Sequence, residues 1–334
     1  MRPYAKLYLT RKGERAARSG HPWVYGEEVT HVDGQYKTGD LVDVLSEKGK
    51  YLGTGFANDI SKIRVRIVSH NANDRFDEAF WQRRVQYALA YRRTVMGEKD
   101  FACCRLIFGD ADEMPGLTVD RYNDLLVAQT LCYGMDVVKP VIFKALTEQL
   151  RLMGVTVRGI YERNDVRVRE LDGMEQYKGW YRAPYLPEPG SVLTTIDENG
   201  ILYDVDVENG QKTGFFLDQK YNRLAVAKIA TGHHVLDCFT HTGAFALNAA
   251  RGGAASVTAV GISDEAVAMT RENIRRNGLE DKVTARQANV FDLLTDLADH
   301  KNHDYDFIIL DPPAFTKSGH TVRNAIRGYK EINL

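Results

Sequence analysis

Two acidic residues each end a short apolar run and open a turn. Val235-Leu236-Asp237 leads into Cys238-Phe239-Thr240-His241-Thr242-Gly243, and Phe307-Ile308-Ile309-Leu310-Asp311 leads into Pro312-Pro313-Ala314-Phe315. In an open parallel sheet, ligands bind outside the carboxyl ends of the strands, so two such turns can face one crevice. An Asp-Pro-Pro turn has a stiff backbone whose first residue projects a carboxylate and whose prolines, lacking an N–H, offer only acceptors. That pairing suits methyl transfer to a nucleobase. The first turn misses the G-x-G-x-x-G pattern of dinucleotide sites, since only Gly243 lets a ligand approach the backbone. A nucleoside carrying a cationic sulfonium and a carboxylate needs fewer glycines and accommodates an acidic residue; S-adenosylmethionine fits that description. The bland alternative is a generic βα turn.

A second segment, Glu208-Asn209-Gly210-Gln211-Lys212-Thr213-Gly214-Phe215-Phe216-Leu217-Asp218-Gln219, combines two glycines, side-chain donors and paired aromatics. It reads either as a lid over an adenosyl group or as a β-hairpin turn. Lys212 precedes Gly214, so the phosphate-loop spacing is missed.

The elements that must position these residues follow from the patterning. Residues 1–72 read as a small β-rich unit with strand-like Leu7-Tyr8-Leu9, Leu41 to Leu45, Tyr51-Leu52-Gly53 and Ile63 to Val68. Residues 73–188 read as α+β, with a helix over Asp77 to Val95, another near Val137 to Met153, and strands at Thr118-Val119-Asp120, Leu125 to Ala128 and Gly159 to Glu162. Pro184, Pro187, Pro189 and Gly190 mark a boundary. Residues 189–334 then alternate strand and helix, which implies a doubly wound parallel sheet. Ser263, followed by Asp264 and Glu265 and closed by Gly278, carries a full set of helix start and stop signals. The fold class expected is α/β, a Rossmann-like domain preceded by a β-rich domain and a small α+β domain.

A chain of 334 residues, 44% hydrophobic and 27% charged, excludes disorder and coiled coil, and no apolar run approaches the roughly 20 residues of a membrane span. Cys103, Cys104, Cys132 and Cys238 lack metal or disulfide spacing and read as cytosolic thiols. Cytoplasmic localisation, no metal and no membrane partner are the expectations. The net charge of −1 argues against indiscriminate nucleic-acid coating, but Arg2, Lys6, Arg11, Lys12, Arg15 and Arg18 face only Glu14, and Arg83, Arg84, Arg92 and Arg93 form a second basic cluster. Either cluster reads as a solvated face or an RNA contact.

With these residues in view, the chain resembles the bacterial class I methyltransferases that modify cytosine C5 in large-subunit ribosomal RNA. The likeness runs through Gly20-His21-Pro22-Trp23-Val24, Asp120-Arg121-Tyr122, Tyr161-Glu162-Arg163, Gln211-Lys212-Thr213-Gly214 and Asp311-Pro312-Pro313-Ala314-Phe315 to Arg327-Gly328-Tyr329-Lys330. It implies an N-terminal PUA domain over 1–72, a middle domain over 73–188 and a methyltransferase domain over 189–334. It also implies S-adenosyl-L-methionine as cofactor and 23S ribosomal RNA as partner, and it leaves a homodimer open. By the same resemblance, Asp237, Phe239, Thr242 and Gly243 cradle the methionine part; Lys212, Thr213, Phe215 and Asp218 line the pocket; Asn289 stands near the adenine amine and Ser263 is a further cofactor-binding residue; and Asp311, Pro312 and Pro313 border methyl group and base.

Three departures stand out. The acidic residue that usually ends strand two is Gly261 here, and the residue near the adenine amine is Asn289. The family's Ser-Cys-Ser segment is expected beyond Leu334, so the resemblance reads the chain as C-terminally truncated and takes the nucleophilic cysteine from outside it. Cys238 reads as a packed strand residue, and His241 and His320 as turn or surface residues. The alternatives are methylation at another base or position, and an RNA-binding fragment without catalysis. The aromatic of Asp-Pro-Pro-Ala-Phe stands one place later than in exocyclic-amine methylators, which disfavours adenine N6 chemistry.

Overall fold

The computed structural model describes residues 2–301, 303–316 and 321–333. The chain forms two compact units, Met1–Thr194 with Val205–Phe215, and Thr195–Asp204 with Phe216–Leu334.

The first unit opens on a six-stranded sheet of β1 (Ala5–Leu9), β2 (Trp23–Tyr25), β3 (Val29–Asp33), β4 (Leu41–Ser46), β5 (Tyr51–Ala57) and β6 (Ile63–Ser69), in the order β2-β6-β5-β4-β1-β3. Helix α1 (Arg11–Arg18) links β1 to β2, and Thr10 caps it by accepting from the Gly13 N–H. Alternating Leu7 and Leu9 meet Val42, Val44, Val65 and Ile67 in the core, as period-two patterning requires. Next come α2 (Glu78–Val95), α3 (Glu98–Phe101), β7 (Cys103–Phe108), β8 (Leu117–Tyr122), β9 (Leu125–Thr130), α4 (Tyr133–Leu152), β10 (Gly159–Asn164) and β11 (Tyr177–Tyr181). Their strands form a sheet ordered β11-β10-β9-β8-β7. Asp77 caps α2 through the Phe80 N–H at 3.0 Å.

The two sheets of this unit share one core. Phe56 and Val68 of the first pack with Phe80, Trp81, Val85 and Met135 beneath the second, and the Phe56 and Trp81 rings stack with centroids 5.9 Å apart. Gly134 permits that approach, because a Cβ there would lie 2.2 Å from the Phe56 ring. Phe56 is 3% exposed and has nowhere to swing. Gly134→Ala is therefore expected to cost about 1–3 kcal/mol by overpacking, read as a lower urea midpoint with an unchanged m-value.

The chain passes to the second unit within β12 (Leu193–Glu198) and back within β13 (Ile201–Asp206), which pair as a hairpin. A 3-10 turn at Leu217–Gln219 leads into α5 (Lys220–Ile229), β14 (His234–Cys238), α6 (Ala244–Arg251), β15 (Ser256–Gly261), α7 (Asp264–Arg276), β16 (Val283–Gln287), α8 (Val290–Asp299), β17 (Phe307–Leu310) and α9 (Val322–Ile332). The four strands are parallel in the order β16-β15-β14-β17. The chain winds outward from β14 to β16 and then returns to the other side of β14. The point where the order reverses, between β14 and β17, is where such sheets bind ligands.

Ser263 caps α7 through the Ala266 N–H, as its start signal requires, and Gly278 beyond the helix end has φ +62°. The α4 helix begins a turn earlier than its periodicity suggested, because Gly134 and Met135 are drawn into the shared core. The Glu208–Gln219 segment is not a hairpin turn; it is a run of turns following β13 that ends in the 3-10 turn. His320 lies outside the described residues.

Candidate active site

Parallel pairing aligns Asp237 with Ile309 and Cys238 with Leu310, so β14 and β17 end side by side and deliver Asp237 and Asp311 to the switch point. Asp237 is 1% exposed. Its Oδ2 accepts from Thr240 Oγ1 at 2.5 Å and from the Ala246 N–H at 3.1 Å, whereas its Oδ1 is buried with no partner. Burial pushes this carboxyl up to about 7, the two hydrogen bonds hold it down, and nearby Asp311 adds to the rise. The Asp311 carboxyl is also raised, chiefly by desolvation and then by the charge of Asp218, with Arg223 opposing. Three carboxylates thus act on one mouth, which disfavours anions and favours a cation.

The turn between β14 and α6 is strained. Phe239 (φ +61°), His241 (φ +52°) and Gly243 (φ +84°) all adopt the left-handed region, which costs a non-glycine residue roughly 1–2 kcal/mol. Such strain gathers at ligand sites. Gly243 tolerates no substitute, since a Cβ would meet Thr270 Cγ2 at 2.7 Å. Thr242 Oγ1 is a second buried oxygen without a partner. The turn delivers the chain to the N-terminus of α6, whose free N–H groups favour an anionic group. His241 is half-buried, its ring edge-on to Phe216 at 5.5 Å, and burial holds its imidazole below the usual value. It serves as packing in the turn.

Around the mouth, aromatic rings form a row. Phe239 meets Phe291 at 6.1 Å, Phe291 meets Phe315 at 5.8 Å, and Phe315 meets Tyr329 at 4.5 Å. Pro312 is half-buried and Pro313 exposed. Ser263 Oγ accepts the helix-capping N–H and donates to Glu265 at 2.8 Å. Asn289 caps α8 by accepting from the Phe291 N–H at 3.1 Å, which leaves its carbonyl oxygen one further lone pair. At Gly261 a Cβ would find only ordinary contacts, 3.6 Å from Thr240 and Val267.

Sequence reasoning missed one anchor. Glu198 on β12 holds Arg223 on α5 by two hydrogen bonds of 2.6 and 2.8 Å, and Arg223 also donates to the Phe216 carbonyl at 2.8 Å. Both side chains are at most 2% exposed. The pair fixes the Phe216 end of the turn that carries Asp218. The only signal in the sequence is a lone Glu beside an Asn-Gly turn.

Lys212, Thr213 and Phe215 belong to the first unit, where the motifs Asp120-Arg121-Tyr122 and Tyr161-Glu162-Arg163 acquire a role. Thr213 Oγ1 donates to Asp120 at 2.6 Å and bonds Tyr122 Oη at 2.8 Å, and that same Oη bonds both the N–H and the carbonyl of Phe215. Arg163 donates to the Val207 and Gly210 carbonyls, and Tyr161 to Glu208. These bonds clamp the Gln211–Gly214 turn onto β8 and β10. Thr213 is buried and its hydroxyl committed to the clamp, Phe215 is buried, and Lys212 is exposed with φ +57°.

On the six-stranded sheet, a cavity of about 510 Å³ is lined by His21, Trp23 and Tyr25, by the cations Lys12, Lys62 and Arg64, and by the carboxylates Glu27 and Glu28. Among the described residues no helix is long and apolar enough to cross a membrane.

A family model described as a PUA-like domain matches residues 7–70, and one described as an S-adenosylmethionine-dependent methyltransferase matches residues 169–332. Ribosomal RNA large subunit methyltransferase I of Shewanella amazonensis is 38% identical over 322 residues, covering 96% of this chain and 79% of that protein. The protein of the same name from Klebsiella pneumoniae strain 342 is 34% identical over 332 residues, covering 99% and 80%. This chain belongs to the ribosomal RNA large subunit methyltransferase I family. A candidate S-adenosylmethionine-dependent methyltransferase from Streptococcus mutans shares the fold at a TM-score of 0.76 and 24% identity, over 96% of this chain and 82% of that one. A methyltransferase complexed with SAH does so at 0.78 and 24%, over 98% and 82%.

As a member of this family the protein is an S-adenosylmethionine-dependent methyltransferase, and the residues present fit the cofactor. Two buried oxygens without partners, a glycine that nothing else can replace, and an acidic mouth match a ligand bearing an ammonium, a carboxylate and a sulfonium.

Proposed function

We propose that the protein methylates cytosine at C5 in the RNA of the large ribosomal subunit. The observation that carries the methyl-transfer part is the β14 turn, with Asp237 Oδ1 and Thr242 Oγ1 buried and unpaired in a strained backbone beside Asp311. The likeness to relatives named for large-subunit ribosomal RNA, at 34–39% identity, supports the substrate class. The bound cofactor supplies an electrophilic methyl group on a sulfonium centre. Asp237, Phe239, Thr242 and the first N–H groups of α6 hold its amino-acid end, and Ser263 and Asn289 flank the nucleoside. Asp218 and Asp311 present negative charge toward the cation. Asp311 and the carbonyls of Pro312 and Pro313 accept from the amino group of the base, and Phe315 gives it an aromatic neighbour.

C5 of cytosine is a poor nucleophile until a thiolate adds at C6. All four cysteines of this chain are buried, and burial pushes Cys132 up to about 11 and Cys238 up to about 12. Cys238 packs among Leu236, Val260, Val290 and Leu293, as a strand residue should. The second reading, transfer to another base or position, needs no thiolate. Labelled cofactor and unmodified ribosomal RNA, followed by nucleoside analysis, decide between them. 5-Methylcytosine supports the first reading, a different methylated nucleoside the second, and no incorporation into RNA counts against both.

The cavity on the six-stranded sheet offers RNA the rings of His21, Trp23 and Tyr25 for stacking and Lys62 for a phosphate, while Lys12 is paired with Glu27 and Arg64 with Asp59. Binding of an RNA fragment should weaken steeply with salt, and a flat response in filter binding would refute this contact.

The space at Gly261 carries a further prediction. Gly261→Asp is expected to tighten cofactor binding roughly ten- to a hundredfold, through a charge-assisted contact worth about 1.5–3 kcal/mol with the ribose hydroxyls. Calorimetry reads the change; equal affinity would mean that another group already holds the ribose.

A further inference from the structure

The basic cluster on α2 divides in two once its partners are known. Arg92 is buried and held by both oxygens of Asp112, and Arg84 pairs with Glu113. These two pin the turn after β7. Arg83 and Arg93 stay exposed on the outer side of the helix, together with Tyr87 and Tyr91, which are 64% and 61% exposed. From Glu78 to Glu98 there is no other carboxylate in the chain. The outward face is therefore cationic and aromatic at once, and Arg83, Tyr87 and Tyr91 follow one another at the four-residue spacing that aligns side chains on a helix.

We propose that this face of α2 is a second contact for single-stranded RNA, apart from both the methyl-transfer site and the cavity on the six-stranded sheet. The inference rests on the reading of RNA as substrate. Four residues of α-helix rise about 6 Å, close to the roughly 6.8 Å that two stacking distances of a base occupy, so one base fits between Tyr87 and Tyr91. The Arg92 guanidinium lies 5.4 Å from the Tyr91 ring centre and, being fixed by Asp112, braces that ring. Arg83, one turn before Tyr87 on the same line of the helix, is placed to meet a phosphate, its guanidinium 6.0 Å from the Phe80 ring centre. A second copy of the chain is the poorer occupant, since a two-fold interface sets the same patch against itself and would bring unpaired guanidiniums together.

The test uses the whole chain, a labelled single-stranded oligoribonucleotide, and the same sequence annealed to its complement. Replacing both tyrosines (Tyr87→Ala, Tyr91→Ala) should weaken single-strand binding by roughly tenfold or more per ring while leaving duplex binding unchanged, and Tyr→Phe at both positions should restore it. Arg83→Ala should lower the salt slope by about 1. Alanine variants that bind the single strand as tightly as the wild type overturn this contact and leave the RNA reading standing. A wild type that binds neither RNA overturns both. If the tyrosine replacements instead convert a dimer to a monomer in sedimentation without changing RNA affinity, the face joins two copies and the proposal is wrong.

Discussion

Asp237→Asn is expected to make the protein more stable at pH 8 and at the same time unable to hold its cofactor well. The carboxyl sits at about 7 instead of the ordinary 3.8, because burial penalises its charge. At pH 8 it is ionised in both folded and unfolded chains, and the folded state bears the whole penalty, on the order of 4 kcal/mol. As the pH falls through 7 the folded carboxyl takes up a proton before the unfolded one does, so the wild type regains stability down to about pH 4. Below that the group makes no further difference. Asparagine keeps an oxygen for Thr240 and Ala246 but carries no charge. Urea unfolding at pH 5 and 8 should show the variant's advantage large at pH 8 and much reduced at pH 5; a pH-independent difference would remove the buried charge from the account. In calorimetry, cofactor affinity of the wild type should rise with pH through 7, and the variant should bind roughly ten- to a hundredfold more weakly without that rise. Equal affinity would remove Asp237 from the site.

The second large effect is structural. Glu198→Ala leaves the Arg223 guanidinium buried and without its carboxylate, and breaking one side of such a pair costs about 3–5 kcal/mol. The loss should appear as a marked drop in urea midpoint. Because Arg223 also holds the Phe216 carbonyl, cofactor affinity should fall in whatever protein remains folded. Joint replacement by Glu198→Leu and Arg223→Met should recover much of the stability, since it removes the uncompensated charge. A single variant as stable as the wild type would show that the pair contributes nothing.

Much of the second unit is legible from local pattern alone. The β14 and β17 runs, the Ser263 cap and the Gly278 stop depend on the residues themselves, and the parallel winding follows from strands alternating with helices. Asp237 and Asp311 could be singled out because each closes an apolar strand, and strand ends are where open parallel sheets place their ligands. Cys238 likewise reads correctly as packing, since it is fully buried at the end of β14 among Leu236, Val260, Val290 and Leu293.

What no local pattern contains is which distant groups meet. The role of Asp120, Tyr122 and Arg163 as a clamp on Val207 to Phe215 depends on hydrogen bonds across 44 to 93 positions of chain, and so does the placing of that segment in the first unit. The Glu198–Arg223 pair is invisible for the same reason: burial turns an ordinary acid and base into an anchor, and burial is decided by everything packed around them. The arginines of α2 make the point within a single helix. Four similar residues lie within eleven positions, yet Arg84 and Arg92 turn inward to carboxylates from another element while Arg83 and Arg93 face water. Residue type determined that this stretch is basic; only the tertiary structure, by supplying Asp112 and Glu113 to Arg92 and Arg84, decided which charges remain available to a partner.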